Sequence, residues 1–512
     1  MYQHRFEGIT PVVTLWMKRE PEICVEERDL VTLVWGHLYG LESYKFGSFL
    51  TKEDLLNCLG LFFGIQYHKR EKKLLIFNDP IAGYRIYLYH RGGQLIMSDD
   101  WQLLTNYIRE NCGKLTLNRD EFRYWLKTRF TMGDATLFNE LGKLPPCVYV
   151  WIKGEKIDWV DTYLPDIPNT ANRYHHVIAA VDALARNLKR LLSLCNKLPV
   201  LFFSGGRDST LLLLILKTMG VEFKVIHWLP THLMTDFLYR QYKQATAIAN
   251  ELGIKVEYVY YDTERDWPRY ANMAFHMHPF ERVVPVDLLT VLEYVKTKYG
   301  EDVILLNGEI ASAGFTLVST TASKLRDLVA RFTSSPYPWY GFRSGIPFMS
   351  HHRLRSYRAA CIMYRSIVQP LGKVYVYLMR QISKFAPKFR YDEPFVTYAR
   401  LFTKAQGMIP QGSLKPAEYF GLEMYFPYIA PEVIISRIKY MDWLYEIANP
   451  KYAVKLGIKR FGFDYDKVAD VKVERLSLPD ARTVDIELRR RTLKVWLTLL
   501  REYIDVSQDI VY

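Results

Sequence analysis

At 512 residues the chain is too long for one ordinary domain. Its composition, 49% hydrophobic and 24% charged, supports sizeable cores and excludes a disordered polymer. The six cysteines (Cys24, Cys58, Cys112, Cys147, Cys195 and Cys361) form no Cys-x-x-Cys pair, so neither a disulfide scaffold nor a zinc site is expected, and a reducing cytoplasm is the default location. The first residues show no signal-peptide pattern, and no apolar run approaches the ~20 residues of a spanning helix, so a soluble protein is expected.

The net charge of +13 is concentrated, with residues 320–404 holding fifteen Lys and Arg against three acidic residues. Such a segment suits an anionic partner, whether an acidic peptide, an anionic sugar or a membrane surface at which the protein would sit peripherally. It reads equally well as a solvated cationic helix face. No nucleic-acid-binding motif accompanies the charge, so nucleic acid is not an expected partner.

In chain order, the first ~165 residues read as strand-rich. Short apolar runs at 30–34, 60–67, 73–77, 86–90, 94–98 and 147–152 are bounded by Gly, Asp, Pro and charged clusters. The Pro-containing stretch 164–169 marks the expected domain boundary. Beyond it the period changes. Residues 175–194 carry apolar positions at helical spacing, and strands at 199–203, 222–228, 255–261 and 302–306 alternate with helices at 210–219, 237–252 and 285–299. That alternation predicts a parallel sheet covered on both faces. The tail from Tyr391 reads as mostly helical.

Between the first of these strands and its helix stands Ser204-Gly205-Gly206-Arg207-Asp208-Ser209. Paired glycines let a backbone adopt φ > 0 and approach an anion with no Cβ in the way. Free N–H groups at the following helix start, with the helix dipole, favour phosphate oxygens. Ser204 and Ser209 add hydroxyls. Asp208 would repel phosphate unless it holds a Mg²⁺ bridging to it. The bland alternative is a glycine turn capped by Ser or Asp. The pattern is neither the Gly-x-x-x-x-Gly-Lys of P-loops nor the Gly-x-Gly-x-x-Gly of dinucleotide folds.

The loop resembles the Ser-Gly-Gly-x-Asp-Ser loop of the PP-loop ATP pyrophosphatases, which have the adenine nucleotide alpha hydrolase-like fold. That resemblance implies cleavage of ATP between its α and β phosphates, adenylation of an oxygen and release of pyrophosphate. Other segments are similar to the asparagine synthetase family. Gly60-Leu-Phe-Phe-Gly-Ile-Gln-Tyr67, Leu75-Ile-Phe-Asn-Asp79, Gly83-Tyr-Arg-Ile-Tyr87 and Leu95-Ile-Met-Ser98 resemble its glutaminase domain. Asn307-Gly308-Glu309, Gly421-Leu-Glu-Met-Tyr-Phe-Pro427 and Lys459-Arg460-Phe461-Gly462-Phe463 resemble motifs of its synthetase domain. The implied fold class is α/β and α+β: an Ntn-hydrolase-like β-sandwich over 1–165, as a degenerate class II glutamine amidotransferase-like domain, and a PP-loop parallel-sheet synthetase domain over 166–512.

Three departures shape the expected function. The family's N-terminal cysteine nucleophile is replaced by Tyr2, and its Asn-Gly-Glu-x-Tyr-Asn by Trp35-Gly36-His37-Leu38-Tyr39-Gly40, so glutaminase activity is not expected. A second metal-binding Asp is replaced by Ser312. The loss of glutaminase residues is similar to β-lactam synthetases and lasso-peptide macrolactam synthetases, in which an amine of the same molecule attacks the adenylate.

On this resemblance ATP and Mg²⁺ are the expected cofactors. Ser204, Gly205, Gly206, Arg207, Asp208, Ser209, Ile226 and Gly308 would bind nucleotide, and Asp208 would ligate the metal. Lys459 and Arg460 would stabilise pyrophosphate and the oxyanion, with Glu309 handling the amine proton. Three classes stay open. The first is an intramolecular ligase acting on a peptide or amino acid, with a precursor peptide and processing protease as partners. The second is an amidotransferase acting on a sugar acid of surface polysaccharide. The third is a catalytically degenerate binding protein.

Overall fold

The computed structural model describes residues 1–112 except 42 and 92, short stretches between 115 and 152, and 173–309 except 233 and 278–285. It also describes 410–439, 451–469 and the single positions 311 and 498. The expected boundary at 164–169, Ser312 and the basic segment 320–404 lie outside the described residues.

Ten strands are described up to residue 152: β1 (Tyr2–Phe6), β2 (Val12–Met17), β3 (Ile23–Glu27), β4 (Leu30–Tyr39), β5 (Leu59–His68), β6 (Lys73–Asn78), β7 (Tyr87–Arg91), β8 (Gln94–Ser98), β9 (Gly142–Lys143) and β10 (Tyr149–Ile152). They form two five-stranded sheets, ordered β1-β2-β8-β7-β9 and β10-β6-β5-β4-β3. Along β2, Val13, Leu15 and Met17 are buried while their neighbours are half-buried. This is the two-residue period of a strand with one face in a core. Those side chains share a core with Leu33, Trp35, Phe63 and Ile65 of the second sheet, which is face-to-face packing.

The second sheet is covered on its other face as well. Val34, Phe62, Leu75 and Phe77 belong to a cluster that also contains Val200, Phe202, Leu305 and Met424 from the far half of the chain. Double coverage explains why the first seven residues of β4 are all buried, with no alternation. Among the described residues two α-helices accompany these sheets, α1 (Lys52–Leu56) and α2 (Trp101–Cys112).

After α3 (Arg173–Cys195), strands and helices alternate as β11 (Leu198–Phe202), α4 (Arg207–Met219), β12 (Lys224–Pro230), α5 (Asp236–Leu252), β13 (Glu257–Tyr261), α6 (Thr263–Met277), α7 (Val286–Tyr299) and β14 (Val303–Asn307). Then follow α8 (Pro410–Tyr419), β15 (Glu423–Tyr425), α9 (Pro431–Lys439), α10 (Tyr452–Arg460) and α11 (Tyr465–Ala469). The third sheet has the order β13-β12-β11-β14-β15, and every pair in it is parallel. The mixed α/β character with a parallel sheet agrees with the sequence reading. From β11 the chain winds outward through β12 to β13, then returns to place β14 on the other side of β11. The carboxyl ends of β11 and β14 therefore flank a topological switch point, where open parallel sheets bind ligands.

Helix α4 owes its place to composition: every residue from Ser209 to Leu216 is buried. It packs between the sheet and the α3 and α10 helices in one apolar cluster. The two halves also meet at a polar joint. Glu423, 5% exposed, accepts from the Tyr39 hydroxyl at 2.8 Å and from Lys197 Nζ at 3.1 Å, with His37 Nδ1 at 3.8 Å. Among the described residues, no helix is long and apolar enough to cross a membrane.

Leu305, fully buried in the middle of β14, tests this packing. Leu305→Ala is expected to cost about 3 kcal/mol in urea denaturation. Val221→Ala, at a surface position, should stay within about 0.5 kcal/mol of the wild type.

Candidate phosphate site

Strand β11 ends by handing the Phe203 N–H to Ile226 O at 2.9 Å, and the chain then turns through 204–206 into α4. Gly205 has φ of +72°, and a Cβ there would lie 2.7 Å from Ala245 N and 2.9 Å from Ala245 Cα. Only glycine fits, because the obstacle is the backbone of α5. Gly206 is the N-cap residue, extended and without a capping side chain. The first backbone bond of the helix is Thr210 N–H to Gly206 O at 2.9 Å. The N–H groups of Arg207, Asp208 and Ser209 therefore have no acceptor in the helix, at the positive end of a 13-residue dipole. Around this opening, Ser204 Oγ stands 3.2 Å from Ser209 Oγ and accepts from Gly206 N–H at 3.3 Å. On the opposite side, a Cβ on Gly308 would come within 3.3 Å of Ser209 N. The end of β14 thus lies directly against the helix start.

The loop is held by residues far downstream. Lys451 Nζ pairs with Asp208 Oδ2 at 2.6 Å, and the Tyr428 hydroxyl donates to Asp208 O at 2.7 Å. The Tyr465 hydroxyl donates to Gly205 O at 2.9 Å. Arg207 lies 4.7 Å over the Tyr465 ring and pairs with Asp466. Burial raises the phenol of Tyr428 well above its ordinary value, and that of Tyr465 to about 12, so both stay donors at neutral pH. Two polar atoms of the loop are buried without a partner among the described residues, Asp208 Oδ1 and Arg207 Nε. The first is an anionic acceptor with room in its bonding for one metal ligand bond, so a Mg²⁺ held mainly by phosphate and water fits here. Among the described residues no group of three or more His, Cys, Asp or Glu could hold a metal ion by itself.

Lys451 is the residue that sequence reasoning missed. It is the N-cap of α10 with φ of +57°, a left-handed conformation that a lysine adopts at a cost. A cation at a helix start also opposes the dipole. Asp208 offsets both. Lys459 and Arg460, singled out from sequence, sit at the other end of the same helix, roughly 12 Å away by helix rise. Lys459 is exposed and Arg460 pairs with Asp182 at 2.8 Å.

Ile226 has its side chain fully in the core, so only its backbone borders the strand ends. Glu309 is exposed and follows the buried Asn307 and Gly308, its N–H bonded to Asn307 Oδ1 at 2.9 Å. Beside the loop, His227 donates from Nδ1 to Phe203 O at 2.7 Å, and burial lowers its pKa, which keeps the ring neutral.

Two of the departures noted from sequence are placed as well. Tyr2 lies in β1 with its ring 5.7 Å from Trp35, so the first residues and the 35–37 stretch of β4 come together. Of the described cysteines, Cys24 on β3 lies near Tyr2 and, after burial, helps to raise its phenol, while the Cys58 thiol is pushed up by burial. Gly36 N–H is bonded to Glu22 Oε2 at 2.8 Å, and His37 has its pKa lowered mainly by burial.

No protein-family profile and no curated protein matches the chain. Among solved structures, the predicted subunit of a tRNA methyltransferase from Methanocaldococcus jannaschii is 24% identical over 26% of this chain and 64% of its own, with a TM-score of 0.17. This chain thus spans less than two thirds of that protein's length. A glutamine-dependent NAD+ synthetase from Acinetobacter baumannii, in complex with adenosine diphosphate, is 11% identical over 70% of this chain and 84% of its own, with a TM-score of 0.20. At these TM-scores neither likeness carries an argument about this chain.

The loop geometry makes a comparison between two glycines informative. Gly205 and Gly253 both have positive φ, but nothing lies within 4 Å of a Cβ at Gly253. Gly253→Ala is expected to cost about 1 kcal/mol in chemical denaturation, the backbone term alone. Gly205→Ala should cost clearly more, because the Ala245 backbone must also shift.

Proposed function

We propose that this chain is an ATP-dependent carbon–nitrogen ligase that adenylates a substrate carboxylate, releases pyrophosphate and passes the acyl group to an amine. The observation that carries this reading is the uncapped start of α4 at the switch point, with the carboxylate of Asp208 and the cation of Lys451 side by side at 2.6 Å. Donors for phosphate oxygens are then the N–H groups of Arg207, Asp208 and Ser209 and the hydroxyls of Ser204 and Ser209. Lys451 adds a charge suited to stabilising the leaving pyrophosphate. Asp208 Oδ1 would hold Mg²⁺, whose charge, when it is bound, neutralises the phosphates. The base would lie against the backbone edges of 226–228 and 306–308, and Glu309 would accept or orient the proton of the attacking amine.

In this reading residues 1–165 are a degenerate glutamine amidotransferase-like domain and 166–512 the ligase. Tyr2 beside Trp35, where the family keeps its cysteine, supports amine rather than glutamine as the nitrogen donor. An intramolecular lactam or macrolactam closure on a peptide or amino acid suits such a ligase. A sugar acid with a free amine is the alternative substrate pair. A second reading, nucleotide binding without turnover, draws on Asp208 already having Lys451 as its counter-ion.

Incubation with ATP, Mg²⁺ and candidate acids and amines is expected to yield AMP and pyrophosphate, followed by chromatography and a coupled pyrophosphate assay. ADP and phosphate as the products would rule out the ligase, and ATP binding without any product would favour the second reading. Asp208→Ala and Lys451→Met should each lower pyrophosphate release by on the order of 100-fold, and unchanged release in either would remove that residue from the mechanism. Ammonia release from glutamine should stay at the level of a protein-free control.

A further inference from the structure

We infer that Tyr465 is the positioning residue that keeps the phosphate loop in its anion-accepting form, an inference that rests on the reading of 204–209 as a polyphosphate site. The peptide between Gly205 and Gly206 joins two glycines, so no side chain stops it from rotating, and its local restraint is the 3.3 Å bond from Gly206 N–H to Ser204 Oγ. The carbonyl and the N–H of one peptide unit point in opposite directions. Rotation would swing the Gly205 carbonyl toward the opening, where its lone pairs would repel a phosphate, and would carry the Gly206 N–H away.

The structure holds the unit in the other sense. Gly205 O accepts from the Tyr465 hydroxyl at 2.9 Å in a buried bond, while Gly206 N–H faces Ser204 Oγ at 3.3 Å. Ser204 Oγ in turn stands 3.2 Å from Ser209 Oγ. The carbonyl is therefore anchored on the protein side, and the amide lies with the two hydroxyls.

Tyr465 grips the loop a second time through its ring. Arg207, next to Gly206, lies 4.7 Å over that ring and is paired with the neighbouring Asp466. The anchor is itself well fixed. Tyr465 is 8% exposed and belongs to the apolar cluster that includes Leu211 and Ala245. It follows α10 after the turn at Gly462, whose φ is +73°. The segment that brings Lys451 to Asp208 thus also brings Tyr465 to Gly205, and the loop is held at both of its critical peptides from one side.

Tyr465→Phe isolates the hydroxyl, because the ring, its packing and its stacking on Arg207 remain. Calorimetric titration of the full chain with pyrophosphate and, separately, with adenosine is the test, alongside a thermal melt. The expected result is a loss of pyrophosphate affinity of about 10-fold, the worth of one hydrogen bond at its upper range, with adenosine affinity unchanged. Tyr428→Phe should show a smaller loss, since Asp208 O lies within the helix. If Tyr465→Phe binds pyrophosphate as tightly as the wild type, the inference fails. Equal losses for pyrophosphate and adenosine would reduce Tyr465 to a packing role and overturn it too. Wild-type protein that binds adenosine but not pyrophosphate would overturn the phosphate reading, and this inference with it.

Discussion

The ion pair of Lys451 with Asp208 joins residues 243 positions apart at 2.6 Å, and each partner makes sense only with the other. A carboxylate in the first turn of α4 suits the helix dipole, yet on its own it would repel any anion drawn to the same N–H groups. A lysine in left-handed conformation at the start of α10 has a strained backbone and opposes a dipole. Paired, each charge has its counter-ion, and the helix start keeps backbone N–H donors beside the exposed Ser204 hydroxyl, a chemistry that suits an anion.

The sheets explain why those donors sit where they do. The return of the chain across β11 puts Gly308 against Ser209, so the mouth of the site is made by backbone from both sides of the switch point. The half that precedes it is bound to it by shared apolar packing and by Glu423, which gathers Tyr39, Lys197 and His37. Within that half the Gly36 N–H is taken up by Glu22 Oε2, an internal contact.

Much of this was legible in the sequence, and for a physical reason. Strands β11 and β14 of the parallel sheet, and β4 to β6, are buried along most of their length, so they appear as largely apolar runs. Expected strands at 60–67, 73–77 and 94–98 are found as β5, β6 and β8 with ends within one residue. Strands β1 and β3 leave no such run, being only partly buried and rich in polar residues. Helix α2 carries Trp101, Leu104 and Ile108, all buried and at helical spacing, a signal only three positions strong within a strand-rich stretch. Strand β15, of three residues, is too short to have a period. The loop itself was readable because paired glycines and serines leave a local signature. Lys451 was not, since no spacing in a sequence encodes an ion pair across 243 residues. The more conspicuous Lys459 and Arg460 share its helix, but α10 presents its other end to the loop.

The distances along the chain have a consequence for biosynthesis. The loop at 204–209 is translated long before its holding residues Tyr428, Lys451, Tyr465 and Asp466, which follow by 220 to 260 positions. At about 5–20 residues per second, an emerging chain carries that loop without its anchors for roughly 10 to 50 seconds. During this interval the paired glycines are free and Asp208 lacks its counter-ion. Such sequence-distant contacts form late in folding. A ribosome-bound or prematurely terminated chain that stops short of these residues would therefore carry the 204–209 loop without the contacts that hold it.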